Sequence, residues 1–281
     1  MARASRGLSA FLLLGSGLSS LAACGAGPTP SPAQPKTSVK PRPEPAPPGA
    51  ENRLTVRVLA EYPHDAKAYT QGLLWHEGSL YESTGLYGSS SLREVRLEDG
   101  QVLRQVDHPR SVFGEGLALV GDRLLQLSWK EETLFEWSLG DFARLGERHY
   151  SGEGWGLCFD GKELVSSDGS AVLTFHQAGD YRPTRRLEVK RAGEPLTLLN
   201  ELECVGGEIY ANVYTTDEIV RIDPASGRVT ATIDASGLLS LEERARAEVL
   251  NGLAYRPETK TFLITGKLWP KLFEVTFVPA R

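Results

Sequence analysis

Apolar residues run along this chain in short bursts, many of them alternating with polar ones and closed by turn residues. Ser79-Leu80-Tyr81-Glu82-Ser83-Thr84, Ser91 to Leu97, Asp122 to Trp129, Thr133 to Trp137, Glu208 to Val213 and Glu218 to Ile222 all read this way. Turns such as Glu98-Asp99-Gly100 and Pro224-Ala225-Ser226-Gly227 separate them. Period-two alternation bounded by Gly, Pro, Asp and Ser is the pattern of half-buried β-strands. Helical periodicity is absent through most of the chain. A further phrase, built around Gly-Leu, recurs ahead of these runs. It reads Gln71-Gly72-Leu73, Glu115-Gly116-Leu117, Trp155-Gly156-Leu157, Asn200-Glu201-Leu202 and Asn251-Gly252-Leu253. Counted from Gly72, Gly116, Gly156, Glu201 and Gly252, the intervals are 44, 40, 45 and 51.

A period of 40 to 50 residues with strand signals inside each repeat points to four-stranded units arranged as a propeller. The expectation is an all-β, five-bladed β-propeller. Its last repeat supplies strands around Leu253, Phe262 to Thr265 and Leu272 to Phe277. The fourth strand of that blade is assigned to the other end of the domain, Leu54 to Leu59, so that the N-terminal strand closes the ring and hides two sheet edges. One interruption is expected. Ser240-Leu241-Glu242-Glu243 is a capping box, predicting a helix through Val249 that lengthens the fourth link. It reads as a surface excursion, with a lid over one mouth as the alternative.

Composition changes this picture mainly at the N-terminus. Arg3 and Arg6 precede an apolar stretch from Leu8 to Ala23, the form of an export signal, and it ends in Leu21-Ala22-Ala23-Cys24. That box predicts a lipidated Cys24, hence an exported, envelope-facing protein held to a membrane by a lipid. Residues 25–51 are dominated by Pro, Ala, Ser and Gly and read as a semi-rigid tether. The globular domain is placed at 52–281. A net charge of -5 over 281 residues leaves no basic footprint for nucleic acid, and the chain is expected to act as a monomer. Cys158 and Cys204 stand one position out of register in neighbouring repeats, so they are expected to face different sides of their sheets as two separate buried thiols.

In a propeller the innermost strands line the axis, so residues at their starts converge. The converging set is Gln71, Glu115, Trp155, Asn200 and Asn251. A second set, Trp129, Asp168, Tyr214 and Lys267, closes the next strands and approaches the same mouth. Glu115 is the one obvious proton-transfer group, and its flanking Gly114 and Gly116 would let a ligand approach the backbone. No His/Cys/carboxylate cluster has metal-ligand spacing. The five histidines fall mostly in expected turns or outer strands, and neither a catalytic triad nor a phosphate loop is suggested. Each position also has a structural alternative. An inner-strand Glu can bond a neighbouring blade, Gln71 and Asn200 can be structural amides, the tryptophans can be channel lining, and Lys267 can be a solvated turn residue. Asn251 reads as pairing with backbone near the axis.

Seven phrases in order carry a resemblance. They are Tyr69-Thr70-Gln71-Gly72-Leu73, Glu82-Ser83-Thr84-Gly85-Leu86-Tyr87-Gly88, Phe113-Gly114-Glu115-Gly116-Leu117, Gly154-Trp155-Gly156-Leu157, Ser167-Asp168-Gly169, Leu199-Asn200-Glu201-Leu202-Glu203 and Thr265-Gly266-Lys267-Leu268-Trp269-Pro270-Lys271. Together they resemble the plant-type glutaminyl-peptide cyclotransferases, a family with plant and bacterial members, from about Glu61 to Phe277. The resemblance implies a five-bladed propeller that converts an N-terminal glutamine to pyroglutamate and releases ammonia, without metal or cofactor. It further implies Glu115 as general base and acid, with a pKa raised by aromatic burial and opposed by Lys267. Lys267 would stabilise the oxyanion, and Gln71 and Asn200 would hold the amide or the α-amine. Tyr69, Phe113, Trp129, Trp155 and Tyr214 would wall the pocket. Tyr69 and Tyr214 depart from the Phe and Trp that related chains carry. The alternatives are a non-catalytic propeller that docks a peptide or an envelope component at the same mouth, and a metal-dependent propeller hydrolase, against which the lack of clustered ligands argues.

Overall fold

The computed structural model describes residues 51–280; the expected export signal, Cys24 and nearly all of the expected tether lie outside them. The described chain is all-β, with one short helix. Thr70–His76, Ser79–Thr84, Ser91–Val95 and Val102–Asp107 form a first antiparallel sheet. Gly114–Val120, Arg123–Ser128, Thr133–Ser138 and Arg144–His149 form a second, and Leu157–Phe159, Glu163–Ser166, Val172–Gln177 and Pro183–Glu188 a third. The remaining long strands make one eight-stranded sheet. In it, Leu199–Val205, Glu208–Val213, Glu218–Ile222 and Val229–Asp234 are joined to Lys271–Pro279, Thr261–Gly266 and Leu250–Arg256 through the N-terminal strand Asn52–Pro63. That strand runs parallel to Val229–Asp234 and antiparallel to Lys271–Pro279, pairing from Leu54 with Pro279 to Pro63 with Lys271. A two-stranded hairpin, Lys190–Arg191 with Glu194–Pro195, leads into the eight-stranded sheet and had no signal in the sequence pattern.

Apolar layers fill the spaces between neighbouring sheets. Tyr81 and Leu92 of the first sheet meet Leu124, Phe135 and Trp137 of the second. Leu125, Leu127 and Leu134 of the second meet Leu157 and Leu164 of the third. Leu173 and Phe175 of the third meet Leu202, Ile209 and Val220. Leu263 and Leu272 pack back on Leu73 and Leu80 of the first sheet, which closes the succession into a ring. The glycine of each recurring phrase stands where first strands touch. A Cβ on Gly72 would lie 2.6 Å from Leu117 N, on Gly116 2.4 Å from Leu157 N, and on Gly156 2.1 Å from Asn200 O. Gly114 and Gly116 therefore serve strand packing, since a Cβ on Gly114 would meet Thr84 O at 2.8 Å; they are not openings for a ligand. Where the fourth phrase has Glu201 in place of glycine, its buried carboxyl reaches across and accepts from Leu73 N at 3.2 Å.

Cys158 and Cys204 form a disulfide, with Cα atoms 5.5 Å apart, correcting the expectation of two free thiols. The out-of-register argument fails for a geometric reason. In sheets stacked around an axis, the front of one sheet meets the back of the next. Side chains on opposite faces of equivalent strands therefore point at each other. The bridge closes a 46-residue separation and staples the third sheet to the eight-stranded one. Loop-closure entropy for that length supports a contribution of about 2–4 kcal/mol. Urea unfolding of Cys158→Ser, or of the reduced protein, should show a loss of that size. An unchanged midpoint would mean that the bridge adds nothing.

The helix is also shorter than expected, Leu241–Arg244, although the capping box at Ser240 and Glu243 is present. Beyond it the chain is committed to other partners. Glu248 N donates to Lys267 O at 2.8 Å, and Lys267 N donates to Val249 O at 2.9 Å. The excursion braces the turn that carries Lys267.

Candidate active site

Four first strands carry a bulge at the same place. One extra residue stands between Thr70 and Gly72, between Gly114 and Leu117, between Leu199 and Leu202, and between Leu250 and Leu253. A bulge breaks the two-residue alternation and re-aims side chains. Here it marks the segments carrying Gln71, Glu115, Asn200 and Asn251. Trp155 lies just before its strand, its N–H donating to Ser167 O at 3.0 Å. The turns after the second strands supply the rest. Gly169, Thr215 and Leu268, each following a second-set residue, have φ of 79°, 69° and 60°, the left-handed conformation that swings the chain away.

Nine side chains line one cavity of about 230 Å³. Its polar members are Gln71, Glu115, Asn200 and Lys267, and its aromatic walls are Tyr69, Phe113, Trp129, Trp155 and Tyr214. All nine are the site residues expected from the sequence. Asp168 is not among them; it lines a neighbouring cleft. Its carboxylate caps the turn by accepting from Ser170 N at 3.0 Å.

Glu115 is 4 % exposed. Burial drives its pKa well above the ordinary carboxyl value; the Lys267 charge opposes this, and Glu153 and Glu131 reinforce it. Gln71 Nε2 donates to Glu115 Oε1 at 3.0 Å. The orientation of that amide is fixed from outside the cavity. Asn251 Nδ2 donates to Thr70 O at 2.9 Å, and a carbonyl can only accept. The same nitrogen donates to Gln71 Oε1 at 3.1 Å, which leaves Gln71 Nε2 to face Glu115. Asn251 thus pairs with backbone, as its sequence suggested, and also orients a cavity residue, which its sequence did not reveal.

Lys267 is 3 % exposed, and its ammonium stands 4.8 Å from the Tyr69 ring centre and 4.9 Å from that of Tyr214. Desolvation lowers its pKa to about 8, against the attraction of Glu115 and Glu248. Burial, helped by Glu248, keeps the Tyr69 hydroxyl protonated far above its ordinary range. Glu153 is a further participant that sequence reasoning missed. One of its oxygens accepts from Trp129 Nε1 at 2.8 Å and from Trp155 Nε1 at 3.0 Å, setting both indoles. Asn200 Oδ1 is buried without a hydrogen-bond partner and belongs to a cavity-lining side chain.

None of the five histidines lines that cavity. His108 and His176 are core residues, and the His64 side chain bonds Glu82 Oε1 through Nε2 at 3.0 Å and Trp269 O through Nδ1 at 2.7 Å. Among the described residues, no three His, Cys, Asp or Glu side chains gather in a metal-binding arrangement.

The ring of sheets surrounds an aromatic-walled cavity that holds one carboxyl of raised pKa, one desolvated lysine and two amides, side chains able to move a proton on a small polar group. Comparison with known proteins narrows the class. The family model for glutamine cyclotransferase matches residues 32–277, and the chain belongs to that family. It is 41% identical over 228 residues to a glutaminyl-peptide cyclotransferase of Arabidopsis thaliana, covering 78% of this chain and 70% of the plant protein. The crystal structure of Myxococcus xanthus glutaminyl cyclase superposes with a TM-score of 0.75 at 41% identity, covering 83% of this chain and all of the other.

Proposed function

We propose that this protein is a glutaminyl-peptide cyclotransferase. It closes an N-terminal glutamine to pyroglutamate with release of ammonia, and Glu115 carries the proton without help from a metal. The observation that carries the reading is a buried carboxyl and a buried lysine facing one residue-sized cavity. Its volume, about 230 Å³, falls below the roughly 300–1,000 Å³ of drug-sized sites and suits one amino-acid side chain with its amine. The fold is read as a five-bladed propeller, with the eight-stranded sheet counted as two blades joined through Asn52–Pro63.

The neutral α-amine of the glutamine attacks its own side-chain carbonyl carbon. As the C–N bond forms, Glu115 takes a proton from the amine and returns it to the departing nitrogen, which leaves as ammonia when the old C–N bond breaks. Lys267 stabilises the oxygen that becomes negative, in a cavity where aromatic walls strengthen the interaction by excluding water. The unpartnered Asn200 Oδ1 accepts from the substrate amine or amide. Gln71, held by Asn251, keeps one Glu115 oxygen occupied and leaves the other to the substrate. The walls fold the glutamine side chain back on its own amine, which supplies most of the proximity the reaction needs.

Ammonia release from a Gln-initiated peptide, with and without chelator, tests the reading directly. Its pH profile adds a second check. Below about 7.7–8.0 the α-amine is protonated and cannot attack. Above about 8 Lys267 loses its proton. The expected kcat/KM is a narrow bell with its maximum near 8, insensitive to chelator. Saturable peptide binding without ammonia would favour a docking propeller instead. Loss of activity to chelator would favour metal chemistry.

A further inference from the structure

The cavity explains much of the Glu82–Gly88 phrase but not its outer end. Glu82 is a buried partner of His64 and Thr70, and Gly85 is required because a Cβ there would lie 2.2 Å from Phe113 Cε1. After Gly85 the chain does something costly. Leu86 adopts φ 84°, a conformation that a branched L-residue takes only at an expense of order 1 kcal/mol or more. Two hydrogen bonds hold the turn, with Ser89 N donating to Leu86 O at 3.0 Å and Ser90 Oγ donating to the same oxygen at 2.8 Å. The result is that two apolar side chains stand out of the fold, Leu86 at 38% and Tyr87 at 50% exposure.

Tyr87 is exposed but not loose. Its ring centre lies 5.4 Å from Phe113 and 6.5 Å from Trp129, so it continues the aromatic wall of the cavity outward. Its hydroxyl donates to Glu131 Oε1 at 2.9 Å, and the other oxygen of Glu131 accepts from Phe113 N at 3.2 Å. A single carboxylate thus pins the outer ring to the backbone of the inner one. A fixed, half-open aromatic ring contiguous with a substrate cavity is a contact surface that loses little entropy on binding.

We propose that Tyr87, with Leu86, is the subsite for the side chain of the residue that follows the glutamine, and that it selects apolar and above all aromatic side chains. The inference rests on the cyclotransferase reading. When the first residue fills the cavity, the chain must leave through the mouth, and one residue advances it by only about 3.3–3.6 Å. The second side chain therefore lies against the outer wall. The charged groups beside that ring are already engaged. Glu153 is bonded to both tryptophans and lies 3.7 Å from Lys130, and Glu131 is bonded to Tyr87 and Phe113. The Lys130 ammonium sits 3.8 Å over the Trp129 ring. Tyr87 is also the most exposed ring of the wall, and the engagement of the charges around it favours apolar over ionic recognition.

The test compares kcat/KM for tripeptides that begin Gln-Phe, Gln-Leu and Gln-Gly. The wild type should prefer Phe over Gly by roughly 2- to 10-fold, the range that aromatic pairs provide. Tyr87→Ala should bring that ratio close to one, and Tyr87→Phe should keep most of it. The ratio is taken within each variant, so a general weakening of the wall cancels. Where Tyr87→Ala does not fold, Tyr87→Leu serves, and should lower the preference for Phe over Leu. A wild type indifferent to the second residue, or a preference that survives loss of the ring, overturns the proposal. Turnover of glutaminamide by the wild type, which has no second residue, separates this failure from failure of the cyclotransferase reading.

Discussion

Glu115→Gln lowers kcat for a Gln-initiated peptide by roughly 10²–10⁴, the usual worth of a positioned proton-transfer group, with little change in KM. The replacement is nearly isosteric. Its amide oxygen still accepts from Gln71 Nε2, which now stands 3.0 Å from Glu115 Oε1, and it still packs where Glu115 is 4 % exposed. What it cannot do is take the amine proton and return it. Stability should move the other way. Burial raises the Glu115 pKa in the fold, so the ionised carboxylate is penalised relative to the unfolded chain. That penalty is absent at pH values where both states are protonated and grows as pH rises above the unfolded value of about 4.3. The neutral amide escapes it. Thermal midpoints of variant and wild type should therefore coincide near pH 4 and diverge in favour of the variant at pH 8. Full turnover in Glu115→Gln would remove Glu115 from the chemistry. A collapse in stability at pH 8 would mean that the carboxylate is a structural partner, the other role open to an inner-strand Glu.

The same residue shows why the cavity could be read from the sequence while its surroundings could not. Each cavity residue sits at a fixed offset from a recurring Gly-Leu phrase or at the end of the run after it, so its place in the fold follows from local pattern alone. Gln71, Glu115, Trp155 and Asn200 are brought together by a repeat, and repeats are legible. Contacts between sheets follow a different rule. Cys158 meets Cys204 because the front of one sheet faces the back of the next, a relation that register counting within one strand inverts. Glu153 was missed because it lies in a loop, two residues before a phrase, and its role depends on two indoles from different repeats converging on one oxygen. Asn251 carried a backbone-pairing signal, but its bond to Gln71 exists only because the last repeat returns to the first. Gly114 and Gly116 invited a ligand-access explanation, and the neighbouring strands supply the actual reason. The sharp stop after Arg244 was likewise invisible, because it is set by Glu248 and Val249 bonding the distant Lys267 turn.

That turn is the subject of the second large effect. Lys267→Met should lower kcat/KM by roughly 10²–10³, the loss typical of removing one donor from an oxyanion site. The stability of the fold should rise at neutral pH. In the native protein the ammonium lies between two tyrosine rings with no hydrogen-bonded carboxylate, and desolvation brings its pKa down to about 8. The unfolded chain protonates it with a value of about 10.4. A lysine whose folded value is depressed destabilises the fold most where both states are charged, below pH 8, and the cost fades as pH rises through the unfolded value. The displacement, which already includes the attraction to Glu115 and Glu248, corresponds to about 3 kcal/mol as an upper figure. A net gain of about 1–3 kcal/mol at pH 7, shrinking by pH 10, is the expected result in urea unfolding. Lys267→Arg separates charge from stability. An arginine holds its proton throughout this range, so whatever turnover it retains should lack the alkaline fall near pH 8. The Lys267 ammonium is then a charge the fold carries at a loss, held in place by the backbone bonds of Glu248, Val249 and Ala68 to its turn. In the proposed mechanism, the negative oxygen of a closing glutamine would offset that cost when substrate enters the cavity. If Lys267→Met kept full turnover, or lost stability at pH 7, the lysine would be structural and the oxyanion would need another donor.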